Sequence, residues 1–484
     1  MPRSNEASNT ATALPVGLDL AGLTADSRRV GPRYLFAAFT GTKADGHAFI
    51  AEAVAKGAVA VLAEPGAQVP GGAMLVADAN PRRRFALMAS AFFQRQPADI
   101  AAVTGTNGKT STAEFTRQIW KILGRKSASI GTLGIIADGW DNPGGLTTPD
   151  PEALYATLAG LADFGVTHAA MEASSHGLSQ YRLDGVRLKA AAFTNLTRDH
   201  LDYHADMEDY ARAKLRLFAE ILPEGAVAVV NADSDAADRV IQVAAKRGQQ
   251  VLTFGRMGSA IRVARLEPAS FGQALDVVVL GRATAIRLPL AGTFQAANAL
   301  AALGLAIACG ADPVAATQAL ERLEGVPGRL QKVAERASGA GIYVDYAHTP
   351  DALETVLKAL RPHAAGRLVV VFGCGGDRDA GKRPLMGAIA ARLADQIYVT
   401  DDNPRGEDPA AIRRAVLAAC PGAIEIGNRG QAIREAIWQL RQGDVLVLAG
   451  KGHEQGQIVA GTVLPFDDTH EARRAVAEID GGQP

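Results

Sequence analysis

Apolar residues in this chain fall into short runs closed off by Gly, Pro, Asp and Asn, and the runs alternate with segments where apolar positions recur at helical spacing. Runs of four to six bounded by turn residues predict strands, and a recurrence at i, i+3, i+4 and i+7 predicts helices. Up to about residue 98, strands are expected over Tyr34 to Phe39, Ala58 to Ala63 and Ala73 to Val76, with helices near His47 to Lys56 and Arg83 to Arg95 before Pro97 punctuates the chain. A second stretch, 99–328, opens on a buried-strand run, Ile100 to Val103, then a glycine turn and a helix, Thr110 to Leu123. Further strands are expected over Val166 to Met171, Ala190 to Phe193, Ala226 to Val230 and Val251 to Phe254. Asp276 to Leu280 and Ile286 to Leu290 lie close enough in sequence for an antiparallel addition, and helices Phe294 to Ala308 and Pro313 to Leu323 follow. Gly325, Pro327 and Gly328 read as a hinge. The third stretch, 329–484, repeats the alternation, with strands at Ile342 to Val344, Leu368 to Phe372, Gln396 to Thr400 and Val445 to Leu448. Its helices are expected over Pro350 to Leu360, Pro384 to Leu393, Pro409 to Ala419 and Arg429 to Leu440. Strand–helix alternation of this kind predicts an α/β class of three domains: an N-terminal one, a central parallel-sheet domain and a C-terminal doubly wound, Rossmann-like one.

Composition narrows the partners. The 484 residues carry 50 Lys+Arg against 51 Asp+Glu, a formal net charge of −1, so no overall field attracts nucleic acid or an anionic membrane. Anionic ligands then need locally placed cations. Cys309, Cys374 and Cys420 lie far apart, which makes neither a disulfide scaffold nor a zinc cluster and suits a reducing compartment. The first fifteen residues lack the apolar core of a signal peptide, and Asn298 to Ala311 is too short to span a bilayer. A cytoplasmic protein without membrane insertion, acting as a monomer, is expected.

Four segments carry candidate chemistry. Gly105-Thr106-Asn107-Gly108-Lys109-Thr110-Ser111 stands between a strand and a helix. Backbone N–H groups of such a turn wrap a polyphosphate, the lysine reaches the β/γ-phosphates and the Thr110 hydroxyl ligates Mg²⁺. The usual pattern wants a further glycine where Val103 stands, and a glycine turn that binds nothing is the bland alternative. Glu172 ends an expected strand beside that turn, a place for a Mg²⁺ ligand or for a solvated acid. His200 and His204, at i and i+4, suggest zinc only weakly, because no H-E-x-x-H pattern contains them. Three further strand ends carry Gly373 to Asp379 with Arg378, Asp401 to Arg405, and Gly450 to Glu454. Arg forks bind carboxylates and Glu takes an ammonium, so these ends suit a small zwitterion, although a lone surface arginine more often makes an exposed ion pair.

Taken together, the segments resemble the Mur ligase family. The likeness runs from about Leu23 to the C-terminal helix through GTNGKTS, MEASSHGL (Met171 to Leu178), NLTRDHLDYH (Asn195 to His204), YARAKLRLF (Tyr210 to Phe218), GTFQAANALAA (Gly292 to Ala302), VPGRL (Val326 to Leu330) and VDYAHTPDAL (Val344 to Leu353). The shortened phosphate loop is the family's own, and DDNPR with GCGGDRD points to its diaminopimelate-adding branch.

That resemblance implies an ATP-dependent amide ligase. Residues 1–98 would bind a UDP-substrate, 99–328 ATP, and 329–484 the amino acid. ATP would be held by Gly105 to Ser111 together with Asn298, Arg329, Asp345 and His348. Mg²⁺ would be held by Thr110, Glu172 and His200, and by Lys214 once CO₂ has converted it to a carbamate; Lys109, Lys214, Glu172 and His200 would be catalytic. A UDP-N-acetylmuramoyl dipeptide would meet Ala25, Ser27, Thr42, Lys43, Ala44, Thr147, Thr148, Ser174, Gln180 and Arg182. Ala25 and Leu146 depart from common relatives. Meso-diaminopimelate would meet Arg378, Asp402, Asn403, Pro404, Arg405, Gly450 and Glu454, with Arg405 discriminating against L-lysine. The expected chemistry is phosphoryl transfer to the D-glutamyl carboxylate, then capture of the acyl phosphate by an amine, with closure about the Gly328 hinge excluding water. The competing expectations are an L-lysine-adding ligase, a folate polyglutamate synthetase, and a P-loop nucleotide-driven binding protein.

Overall fold

The computed structural model describes residues 14, 17–41, 45–140, 147–197, 199, 203–269 and 272–481. By internal contacts the chain divides into two units, Met1–Arg262 with Leu300–Ala316, and Val263–Ala299 with Thr317–Pro484.

In the first unit, β1 (Gly22–Thr24), β2 (Tyr34–Ala37), β3 (Ala58–Ala63) and β4 (Met74–Ala77) form a four-stranded parallel sheet in sequence order. Side-chain alternation divides this sheet between two cores. Leu35, Ala37, Ala60 and Leu62 pack with Phe85 and Met88, whereas Phe36, Ala38, Val61 and Ala63 pack with Ile50 and Ala53. The helix expected over 47–56 is broken: a 3₁₀ turn, Gly46–Phe49, precedes α1 (Ile50–Ala55). Helix α2 (Pro81–Phe93) starts as its sequence dictates, with Pro81 in the first turn and the Asn80 side chain accepting the Arg83 N–H.

The central sheet of this unit contains β5 (Asp99–Thr104), β6 (Ser127–Gly131), β7 (Gly134–Ala137), β8 (His168–Glu172), β9 (Leu188–Phe193), β10 (Val227–Asn231) and β11 (Gln250–Gly255). Their order is β11-β10-β9-β5-β8-β6-β7, all parallel except the β6–β7 hairpin. Ile100 to Val103 are buried completely, as a central parallel strand covered on both faces requires. Helix α3 (Lys109–Ile122) leaves β5 on the way to β6, and β9 joins from the opposite side, so β5 lies where the winding reverses. Ligands of open α/β sheets bind outside the strand ends at such a reversal. The other helices here are α4 (Pro151–Asp163), α5 (Ser175–Ser179), α6 (Met207–Arg216) and α7 (Ala237–Lys246).

Strand β12 (Ile261–Ala269) leads to the second unit, where β13 (Gly272–Val279) and β14 (Arg282–Leu288) pair antiparallel about Leu280 and Gly281, both at positive φ, as the tight hairpin turn demands. Helices α8 (Thr293–Ala308) and α9 (Pro313–Ala319) follow, their residues 300–316 counted with the first unit. Then β15 (Gln331–Glu335), β16 (Gly341–Asp345), β17 (Leu368–Phe372), β18 (Gln396–Val399), β19 (Ile424–Glu425) and β20 (Val445–Ala449) form a sheet ordered β15-β16-β20-β17-β18-β19, parallel except at β15. Leu368, Val370 and Phe372 face one core while Val369 and Val371 face the other, so helices cover both sides. These helices are α10 (Pro350–Leu360), α11 (Lys382–Leu393), α12 (Pro409–Leu417), α13 (Arg429–Trp438) and α14 (Asp468–Asp480). A hairpin of half-buried β21 (Gly456–Val459) and exposed β22 (Thr462–Pro465) is an element that the apolar runs do not predict. Gly328 is packed inside this unit: its carbonyl accepts the Tyr346 N–H at 2.9 Å, and a Cβ there would stand 2.3 Å from the His453 nitrogen.

Candidate active site

The loop after β5 is built by its glycines. Gly105 has φ +147° and a Cβ there would lie 1.9 Å from Thr194 Oγ1; Gly108, at φ +88°, is the left-handed residue that opens α3. Asn195 braces the loop, its carbonyl accepting the Thr106 N–H at 2.9 Å and its Oδ1 the Asn107 N–H at 2.9 Å. Thr106 Oγ1 donates to Thr197 O at 3.1 Å and accepts the Thr197 N–H at 3.0 Å. Lys109 Nζ folds back on the loop carbonyls of Gly105 and Thr106, at 3.0 and 2.8 Å. A rigid cradle at a helix N-terminus with a lysine over it suits a polyphosphate.

Glu172 closes β8 beside this loop and is 2% exposed. Its Oε1 accepts the Thr132 N–H at 2.7 Å and its Oε2 the Thr132 hydroxyl at 3.3 Å. Thr147 Oγ1 lies 3.1 Å from Thr132 Oγ1. Thr148 Oγ1 donates to Glu172 O at 3.0 Å and lies 3.0 Å from Ser174 Oγ, and Ser174 in turn caps α5 through the Gly177 N–H. Arg182 donates to Thr148 O at 2.5 Å and to Gln180 Oε1 at 2.7 Å. Five of the residues expected to meet the UDP-substrate, Thr147, Thr148, Ser174, Gln180 and Arg182, thus form one hydrogen-bonded group with Glu172. Ala25 is exposed and Ser27 half-buried, on the turn after β1. Thr42, Lys43, Ala44 and His200 lie outside the described residues.

Lys214 is 1% exposed and its Nζ donates to Gly105 O at 2.8 Å. Its ammonium also stands 4.3 Å from the Tyr210 ring centre, and Tyr210 donates to Thr106 Oγ1 at 3.2 Å. Burial above all, and then the positive charge of Lys109, hold the Lys214 amine well below the usual lysine range, with Asp199 opposing. The Glu172 carboxylate and the Thr110 hydroxyl are oxygen donors of the kind Mg²⁺ takes. His204 precedes α6, and its Nδ1 lies 3.1 Å from Asp209 Oδ2. Among the described residues no group of three His, Cys, Asp or Glu is placed to hold a metal.

In the second unit, Asp345 ends β16 and takes the Leu330 N–H at 2.6 Å and the Ala347 N–H at 2.8 Å. Burial pushes its carboxyl up to about 6, against Arg329 and those two amides. The Arg329 guanidinium lies 5.0 Å from the Tyr346 ring centre, and Arg329 O accepts from Gln295, whose Oε1 accepts the Asn298 amide at 3.0 Å. His348 Nδ1 is 2.8 Å from Tyr346 O, and burial lowers its pKa. Asn298, Arg329, Asp345 and His348 are therefore linked through Gln295, Leu330 and Tyr346.

The three arginine- and acid-bearing strand ends also meet. Arg405 donates to Gly376 O at 2.9 Å, and Asn403 Nδ2 donates to Glu454 Oε2 at 2.9 Å. Asp402 is 5% exposed and its pKa is raised by burial, with Arg429 and Lys451 opposing. A Cβ on Gly450 would lie 2.8 Å from Asp402 Oδ2. Arg405 itself is in the left-handed region, φ +52°, held by hydrogen bonds from its N–H to Ile458 O (2.9 Å) and to its carbonyl from Ala460 N–H (2.7 Å). Pro404 precedes it in the same loop, and Arg378 stands on the exposed neighbouring loop with Asp377 O as its partner at 3.3 Å. Two buried residues here escape sequence reasoning. Lys451 contacts Asp402, Asn403 and Glu454, and Arg429, fully buried against Asp468, donates to Ala449 O at 3.1 Å. A glycine on each side was the only sequence signal for Lys451; for Arg429 there was none.

Comparisons with known proteins agree over most of the chain. The Mur ligase family catalytic domain matches residues 19–113, the Mur ligase middle domain 103–306, and the Mur ligase glutamate ligase domain 328–452. A UDP-N-acetylmuramoyl-L-alanyl-D-glutamate–2,6-diaminopimelate ligase of Caulobacter vibrioides is 56% identical over 467 residues, 95% of this chain and 96% of that one. The enzyme of the same name from Agrobacterium fabrum is 53% identical, over 96% and 95%. A solved structure of a ligase of that name superposes with TM-score 0.74 at 36% identity, covering 95% of each chain. MurF from Acinetobacter baumannii, at 21% identity and TM-score 0.62 over 91% and 94%, shares the fold. With a phosphate loop lacking the first glycine, a buried lysine on α6 and near full-length identity to these enzymes, the chain belongs to the Mur ligase family.

Proposed function

We propose that the chain is an ATP-dependent, ADP-forming ligase that joins meso-2,6-diaminopimelate to the γ-carboxyl of UDP-N-acetylmuramoyl-L-alanyl-D-glutamate in peptidoglycan precursor synthesis. Near full-length identity above 50% to enzymes of that specificity carries the reading. Domains over 1–98, 99–328 and 329–484 take the UDP-substrate, ATP and the amino acid respectively. ATP and UDP-linked substrates place the reaction in the cytoplasm.

The Gly105 to Ser111 loop orients the triphosphate, with Lys109 turning from its loop carbonyls to the β/γ-phosphates. Glu172, Thr110, His200 and, once carbamylated, Lys214 would hold Mg²⁺, which when bound would neutralise charge on the transferring group. Thr148, Ser174, Gln180 and Arg182 hold the peptidyl end of the UDP-substrate and present its carboxylate to the γ-phosphorus, whose bond to the leaving ADP breaks as the acyl phosphate forms. The acyl phosphate that results is captured by the free amine of diaminopimelate, and phosphate leaves. Arg405 forks onto the distal carboxylate, which L-lysine lacks, while Glu454 takes an ammonium. An unpaired Arg405 disfavours lysine as much as a paired one favours diaminopimelate.

The test measures ADP and peptidyl product from purified chain given ATP, Mg²⁺, bicarbonate, the UDP-dipeptide and either amine. ADP release should require both the dipeptide and meso-diaminopimelate. Equal turnover with L-lysine would give the neighbouring specificity, and ATP turnover independent of any amine would favour a nucleotide-driven binding protein.

A further inference from the structure

Lys451 has no place in the chemistry above, yet no side chain in the second unit is more deeply enclosed: it is 0% exposed. Its flanking glycines send it inward. Gly450 has φ +117° and Gly452 φ +57°, and a Cβ on the latter would lie 2.7 Å from Tyr346 Cβ, so the Gly-Lys-Gly turn is tight against the sheet on both sides of the lysine. The buried ammonium is spent on three acceptors: Asn403 Oδ1 at 3.1 Å, Glu454 Oε2 at 3.4 Å and Asp402 Oδ1 at 3.6 Å. All three acceptors belong to residues assigned to the amino-acid site.

We infer that Lys451 is the positioning residue of the amino-acid site, fixing which edge of the Asn403 carboxamide and which oxygen of Glu454 face the incoming diaminopimelate. The inference rests on the site reading given above. Asn403 Oδ1 takes two donors, Lys451 Nζ at 3.1 Å and the Ile458 N–H at 3.0 Å. Flipping the amide would set its NH₂ against both, so the oxygen is locked inward and Nδ2 points out. One Nδ2 hydrogen goes to Glu454 Oε2, which Lys451 also holds; the other has no partner among the described residues, nor has Glu454 Oε1. One donor and one carboxylate oxygen are thereby left over for a ligand, the complement of an amino acid's carboxylate and ammonium. Ile458 supplies the second lock because it sits at a position of β21 whose N–H faces away from β22.

Lys451→Met keeps the stem and removes the charge, and Ile458→Pro, on the half-buried strand of the hairpin, removes the second donor while keeping the carbonyl that accepts from Arg405. For Lys451→Met, KM for diaminopimelate should rise about tenfold or more, with KM for ATP and kcat at saturating amine within about twofold of wild type. Ile458→Pro should raise the same KM by about threefold. Should the lysine variant fail to fold, the hairpin variant still decides: a wild-type KM for diaminopimelate in either folded variant overturns the inference. Hydrogen exchange at the Ile458 amide reads the lock without any substrate, and so separates this inference from the assignment of function. Exchange should quicken in Lys451→Met, and unchanged exchange would also overturn it.

Discussion

At the scale of single residues, Asp345 couples the chemistry of the second unit to pH. Its carboxyl is enclosed at the end of β16, and burial outweighs Arg329 and two backbone amides to push its pKa up to about 6 from 3.8. The folded chain therefore keeps that proton after the unfolded chain has lost it, so stability from this group is complete below pH 4 and falls as pH rises towards 6. A displacement of about two units is worth about 3 kcal/mol. Asp345→Asn cannot ionise and should lack the fall. Urea unfolding of wild type and variant between pH 4 and 8 should give a stability difference that changes by about that amount and is flat above pH 7. Parallel curves would mean that Asp345 does not titrate in this window. Lys214 shows the opposite displacement for the same reason, burial, with Lys109 added; its amine is the one the phosphate loop encloses.

At the scale of elements, the junction after β6 sets Glu172. Gly131 ends that strand, and a Cβ there would stand 2.1 Å from Glu172 Oε1 and 2.6 Å from its carboxyl carbon. Gly131→Ala should therefore push the carboxylate off the Thr132 N–H at a stability cost of about 1–3 kcal/mol, the range for overpacking. A misplaced ligand in phosphoryl transfer lowers kcat by about a hundredfold. The Mg²⁺ dependence of ADP release should shift to higher concentration; an unchanged kcat would remove Glu172 from the chemistry. Which elements were legible follows from how they bury themselves. β5, β9, β10 and β17 are apolar runs covered on both faces and stand out in the sequence, whereas the β21–β22 hairpin, half-buried on one strand and exposed on the other, docks by backbone bonds to Arg405, which no side-chain pattern announces. Lys214 reads as helix surface between Arg212 and Arg216, yet its neighbours one turn away, Tyr210 and Phe218, are buried, and that i±4 stripe was the available signal. Lys451 had none of comparable weight, because the partners Asp402 and Asn403 that tolerate its burial lie about fifty residues earlier.

At the scale of the molecule, the groups proposed for the two organic substrates sit in different compact units with separate cores. Thr147, Thr148, Ser174, Gln180 and Arg182 belong to the first unit, and Asp402, Asn403, Arg405 and Glu454 to the second. Binding energy released in one unit suppresses the local openings of that unit, since opening is graded across a structure and a ligand stabilises only the states that bind it. The UDP-dipeptide alone should thus slow amide exchange around α5 and residues 147–150. Meso-diaminopimelate should slow it around 401–406 and 450–459. The positive-φ Arg405 and the hairpin amides that hold it should respond most, because a guanidinium engaged by a carboxylate no longer swings with its loop. L-lysine should leave the 401–406 segment close to its free rate, having no distal carboxylate for the fork. Protection by diaminopimelate confined to the glycine loop at 105–111, with the second unit unaffected, would place the amino acid elsewhere and take the Arg405 specificity argument with it.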